Sequence, residues 1–236
     1  LLNAPLIGAQ SLAPTYDQDK ASIFWYGQKD WKRHVITEDI PGIIHRVRPV
    51  QWDGNKRDQF LVASFEGIVL YRATGAGENM KFEKVVLSSG HPNDKAPRLG
   101  ASDVAVGKQG SARFFASVEP WHGNEVVVYT GKDTKWDRRV IFDKASMSGH
   151  EVAVADLNGD GRDDVIANDN ARTAGGVHVF YAPEDAAKGE WLYQRLEDKS
   201  AMNSCVAADI NGDRKLDLVC TGNGGVIRWY ENLGQK

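Results

Sequence analysis

An all-β fold of short strands in repeated four-stranded sheets is predicted by three observations. Glycine is in excess, at 24 of 236 residues, and many turns favour short strands over long helices. Five apolar runs end in tyrosine, at 22–26 (SIFWY), 67–71 (GIVLY), 125–129 (EVVVY), 177–181 (VHVFY) and 226–230 (VIRWY). Their tyrosines are spaced by 45, 58, 52 and 49 residues, a period near that of one blade of a β-propeller. An antiparallel sandwich competes, but does not explain a four-part order that recurs with the same signature residues.

The tyrosine run is the third strand of each period. A fourth follows it at 31–36, 82–87, 136–141 and 191–196, each an aromatic, then polar residues, then β-formers. That polarity suits an outer strand with one wet face. Residues 183–198 resemble a helix, but Gly189 interrupts them. The first and second strands precede the tyrosine run as a pair joined by a polar loop, at 152–155 and 165–167 and again at 206–208 and 218–220. Weaker copies stand at 47–50 and 60–62, and at 104–106 and 114–116. These runs are apolar without clean alternation, as when both faces are covered. The expected blades are 1–41, 42–90, 91–146, 147–200 and 201–236, forming one propeller or part of a larger one. The first blade opens inside its second strand (residues 1–9) and the last lacks its fourth. A fragment missing N-terminal blades is expected, with a five-blade ring closed by the chain ends as the alternative.

A net charge of −3 gives no reason to expect nucleic acid. No stretch approaches the length of apolar residues that spans a bilayer, so no membrane insertion is expected, and no signal peptide is visible. Cys205 and Cys220 lie on neighbouring segments, so a bridge is conceivable, but buried free thiols are expected, because a regular hairpin would point them to opposite faces.

Two loops carry regularly spaced oxygen ligands. The first, DLNGDGRDD at 156–164, offers Asp156, Asn158, Asp160, the Arg162 carbonyl and Asp164, a hard-oxygen set suited to calcium. The second offers Asp209, Asn211, Asp213, the Lys215 carbonyl and Asp217. Its sixth position is Arg214 where the first has Gly161, so its sharp turn is harder to make and weaker binding is expected. Neither is a helix-loop-helix hand, since position 12 is Ala167 or Cys220 instead of glutamate. Decayed copies lie at 51–59, where Asp53, Asn55 and Asp58 remain, and at 107–115, which has no acidic residue. The plainer reading is that all four are polar turns. Calcium here would be structural, and suggests a secreted or periplasmic location.

The strings DLNGDGRDDVI and DINGDRKLDLV resemble FG-GAP/VCBS repeats, the calcium-loop blades of integrin-type propellers. The strings EPWHGNEVVVY at 119–129 and GHEVAVAD at 149–156 resemble the propeller part of the aldos-2-ulose dehydratase group. That resemblance implies relatives that dehydrate keto-sugars such as anhydrofructose.

A candidate pocket lies at the other end of the strands. Six residues before the first loop position, the first strand of each sheet starts at His45, Ala101, His150 or Asn203. The turns between second and third strands add Glu66, Glu119, Trp121, His122, Asn168, Asp169, Arg172 and Asn223. An aromatic face with acids, amides and a guanidinium suits a sugar. Histidine and glutamate suit proton chemistry or a second divalent metal. The plainer reading is that such histidines bond a neighbouring backbone and that Trp121 packs between blades. His34 and His178 are placed on outer strands without a role, and His91 in a loop. No nucleophile motif or phosphate loop is present. Two functions are therefore expected. One is a calcium-stabilised propeller binding carbohydrate or protein. The other is a sugar dehydratase or lyase with His150 or His122 as base, His45 beside them, and Glu119 as acid or metal ligand. In either, Trp121, Asn168, Arg172 and Asn223 would bind the ligand.

Overall fold

A computed structural model describes residues 1–54, 57–93, 95–144 and 147–234. Asn55 of the decayed loop and the blade limit at 146 lie outside the described residues. The described strands form five antiparallel sheets, each an up-and-down meander, and the architecture is that of β-propeller blades. No helix among the described residues is long and apolar enough to cross a membrane.

The chain divides into two compact units, Leu1–Ala101 and Ser102–Lys236. The first unit holds a three-stranded sheet of β1 (Leu2–Asn3), β2 (Lys20–Tyr26) and β3 (Arg33–Pro41). Beside it is a four-stranded sheet of β4 (Ile44–Val50), β5 (Gln59–Ser64), β6 (Gly67–Thr74) and β7 (Lys81–Ser88). Ala21, Ile23 and Ile40 of the first sheet pack on Phe60, Val62, Val69 and Tyr71 of the second. Every residue of β5 is buried, whereas β7 alternates between wet and dry positions. That contrast is what an inner strand covered on both faces and an outer strand covered on one should show.

The second unit holds three sheets. The first comprises β8 (Asp103–Gln109), β9 (Ala112–Glu119), β10 (Glu125–Lys132) and β11 (Lys135–Phe142). The next comprises β12 (Gly149–Ala155), β13 (Asp164–Asp169), β14 (Gly176–Tyr181) and β15 (Leu192–Glu197). The last comprises β16 (Met202–Ala208), β17 (Asp217–Gly222) and β18 (Ile227–Tyr230). Phe114, Val118 and Val128 pack against Val152, Val165 and Phe180 across the first interface. Ile166, Val177 and Val179 pack against Met202, Cys205 and Leu218 across the second. Asp103 ties the first two sheets together, its fully buried carboxylate accepting N–H bonds from Val104 (2.7 Å) and Val152 (3.1 Å).

Two expectations are corrected here. His178 is not on an outer strand. It lies on β14, the third of four, 3% exposed, with Nδ1 3.0 Å from the Tyr193 hydroxyl. The cysteines are not free thiols: Cys205 and Cys220 form a disulfide. Ala208 pairs with Asp217 at the loop end, which makes Cys205 and Cys220 direct partners three rungs further on. Directly opposed residues in an antiparallel pair share a face.

Candidate functional site

Both acidic loops leave the same end of their sheets, between first and second strands, and close on themselves. In the first, Asp156 accepts N–H bonds from Gly159 (2.8 Å), Asp160 (3.1 Å) and Gly161 (2.8 Å). The side-chain carbonyl of Asn158 accepts from Asp160, and Asp160 from Arg162. Asp164 is fully buried and accepts from Leu157 (3.0 Å) and Ala182 (2.8 Å). Burial pushes its carboxyl up to about 6, against those two hydrogen bonds, and the nearby charges of Asp160 and Asp156 push the same way. A cation among these oxygens would offset that repulsion, so the donor set fits a hard divalent ion.

The second loop repeats the wiring. Asp209 accepts from Gly212 (2.7 Å) and Arg214 (3.0 Å), Asn211 from Asp213, and Asp213 from Lys215. Asp217 accepts from Ile210 and Asn232. At the sixth position the first loop has Gly161 at φ +84°, and the second has Arg214 at φ +69°. Both loops pair the fifth-position carboxylate with the seventh-position cation, Asp160 with Arg162 and Asp213 with Lys215 (3.0 Å).

At the opposite end, three first strands share one irregularity. The ladder skips a residue between Ile44 and Arg46, between Gly149 and Glu151, and between Met202 and Ser204. The residues on these bulges are His45, His150 and Asn203, the equivalent positions read from the sequence. A bulge re-aims its side chain away from the regular pleat. His45 is thus on β4 of the first unit, half-buried.

Within the second unit His122 and His150 meet. Their rings are 5.2 Å apart between centroids and nearly perpendicular, and each has a ligating nitrogen within 4.8 Å of the other's. His122 sits in the β9–β10 connection at φ +47°, beside Trp121 at 4.7 Å between ring centroids. His150 has Nδ1 2.9 Å from the backbone carbonyl oxygen of Asn203. That carbonyl can only accept, so Nδ1 carries the proton and Nε2 of the neutral ring carries the lone pair. Gly149, just before it, approaches the neighbouring sheet closely, since a Cβ there would lie 2.1 Å from Val118 Cγ1.

The other sequence candidates disperse. Glu119 is fully buried; its carboxylate accepts from the Tyr129 hydroxyl (2.7 Å) and Arg138 Nε (2.9 Å). Burial pushes it up, opposed by Arg138 and Tyr129. Arg138 also bridges to Glu125. Glu119 is thus committed to β10 and β11, the third and fourth strands of its sheet. Asn168 is completely buried on β13, its amide oxygen 2.8 Å from the Cys205 sulfur. Asp169 accepts from the Ser148 and Ala171 amides. Glu66 pairs with Lys84. Arg172 is exposed in the β13–β14 connection, and Asn223 is exposed with its side-chain oxygen accepting from Asn203 Nδ2 (2.9 Å). Sequence reasoning missed Ser102, which is fully buried and accepts the His122 N–H at 2.6 Å. Its one visible signal was its place beside Ala101, at the equivalent strand start.

Four-stranded meander sheets with acidic loops between first and second strands define a β-propeller with blades of the FG-GAP type, and residues 148–180 match the FG-GAP repeat. Residues 13–132 match the aldos-2-ulose dehydratase β-propeller domain, and the chain belongs to that family. The aldos-2-ulose dehydratase of Phanerodontia chrysosporium is 30% identical over 193 residues, which cover 73% of this chain and 20% of that protein. The chain therefore spans about a fifth of the length of that relative.

Proposed function

We propose that the chain is the sugar-binding propeller of a keto-sugar dehydratase, with a divalent metal held by His122 and His150. The observation that carries this reading is the orientation of His150. An imidazole whose Nδ1–H is fixed on a backbone carbonyl, with a second imidazole beside it, is the usual arrangement of metal-ligating histidine. Two ring nitrogens suit zinc or a similar borderline ion better than calcium.

Such a metal, when bound, supplies polarisation of a substrate carbonyl. That favours β-elimination, in which the carbon beside the carbonyl loses its proton, the electron pair forms the new C=C bond, and the β-hydroxyl leaves as water after gaining a proton. Trp121 offers an aromatic face for the C–H surface of the sugar. Kinship with a protein named for dehydrating an aldos-2-ulose supports the substrate class.

Calcium in the loops beginning at Asp156 and Asp209 would pin the hairpins at the other end. Weaker binding is proposed at the second, where Arg214 makes the turn that Gly161 makes in the first. The Cys205–Cys220 bridge supports an oxidising, secreted or periplasmic setting.

A second reading, sugar binding without turnover, is favoured by the commitment of Glu119 to Arg138 and Tyr129, which removes it as a free acid. Assays of anhydrofructose and uronate polymers with zinc, comparing the wild type with His150→Ala, separate the two. Turnover lost in the variant supports the dehydratase. Sugar binding with no turnover on any of these supports the binding module, and neither binding nor turnover contradicts both.

A further inference from the structure

We infer that Ser102 is the positioning residue of the His122–His150 pair, an inference that rests on the metal-holding reading above. His122 occupies the left-handed region at φ +47°, where a non-glycine residue costs on the order of 1–3 kcal/mol and persists only if its surroundings hold it. Three hydrogen bonds form that hold. The His122 N–H donates to Ser102 Oγ at 2.6 Å. The Ser102 hydroxyl donates to the Gly149 carbonyl at 3.3 Å. The Gly149 N–H donates to the Gly123 carbonyl at 2.6 Å. Because Gly123 follows His122 and Gly149 precedes His150, these bonds close a circuit through the backbone of His122 and Gly123 and that of Gly149, to which His150 is joined.

The circuit is buried: Ser102 is fully so, and Gly123 and Gly149 are both buried. A hydroxyl has one proton to give and lone pairs to receive, so one small side chain serves both backbones. Alanine can do neither, and threonine can do both. Ser102 acts through the two backbones. The fold does not depend on this hydroxyl alone, because Asp103 separately joins β8 to β12 through the Val104 and Val152 amides.

The test is zinc affinity, measured by competition with a chromophoric chelator, for the wild type, Ser102→Ala and Ser102→Thr, with amide exchange of His122 followed in each. Zinc alone is the probe, so no substrate is needed. Ser102→Ala is expected to bind zinc at least about tenfold more weakly, the cost of losing a group that orients a metal ligand, and to exchange the His122 amide faster. Ser102→Thr is expected to bind as the wild type does. Wild-type affinity in Ser102→Ala overturns the role of Ser102 and leaves the metal reading standing, while a wild type that binds no zinc overturns both. If Ser102→Ala does not fold, a threonine variant that folds but has lost its affinity, or an unprotected His122 amide in the wild type, overturns the inference.

Discussion

Gly161 and Arg214 hold the same turn in the two acidic loops, at φ +84° and +69°. The left-handed region crowds Cβ against the following carbonyl, costing roughly 1–2 kcal/mol for any residue but glycine. Arg214 bears that cost and Gly161 does not. Replacing Arg214 by glycine should therefore stabilise the protein by about 1 kcal/mol, once the greater freedom of glycine in the unfolded chain is deducted. It should also tighten calcium at the second loop. Urea unfolding with and without calcium measures both, and an unchanged or lower midpoint contradicts the account.

Calcium itself should raise the melting temperature, and a chelator should lower it. A single site filled at about one hundred times its Kd adds ~2.7 kcal/mol. Asp160→Ala removes a first-loop ligand and should remove the larger part of the calcium-dependent shift. A melting temperature that ignores both calcium and chelator would reject a role in the folded state.

The disulfide should also be measurable. Cys205 and Cys220 are 15 residues apart and at most 2% exposed, and bridged sulfurs cannot react as thiols, so the protein should yield no labelled thiol even when unfolded, until a reductant is added. Closing a loop of that length constrains the unfolded chain by about 3 kcal/mol. The double variant Cys205→Ala with Cys220→Ala should lose stability on that order. Thiol labelled in the unfolded but unreduced wild type would contradict the pairing.

How the cysteines pair was not legible in the sequence, because register decides it. Runs of apolar residues show where strands lie, and four of the five tyrosine runs became third strands, the first being β2, the middle strand of its three-stranded sheet. They do not show that Ala208 faces Asp217. The place of the acidic loops between first and second strands was legible, since the spacing of their acids and the turn residue are local. The equivalence of His45, His150 and Asn203 was legible too, because a fixed count from the loop carries it, and the structure gives all three the same bulge. Glu119 misled because its neighbours Trp121 and His122 are adjacent in sequence. A strand points successive side chains to opposite faces, and its true partners Tyr129 and Arg138 come from later strands. Ser102 was invisible for the same reason, as its bonds reach about 20 and 47 residues along the chain.

Arg138 provides the test of the scaffold role given to Glu119. Arg138→Ala leaves the fully buried Glu119 carboxylate without its cation, and breaking a buried pair from one side costs about 3–5 kcal/mol. Glu119→Gln should cost less, since Arg138 keeps Glu125, and should leave zinc affinity unchanged. Loss of zinc binding in a folded Glu119→Gln variant would return Glu119 to the metal site.

The most direct measurement of the central claim is anomalous diffraction at the zinc edge from crystals of the wild-type chain grown with zinc. The account predicts a peak within about 2.1 Å of a ring nitrogen of both His122 and His150, with Nε2 the ligating atom of His150. A zinc peak bound elsewhere, or none at this pair, would contradict it.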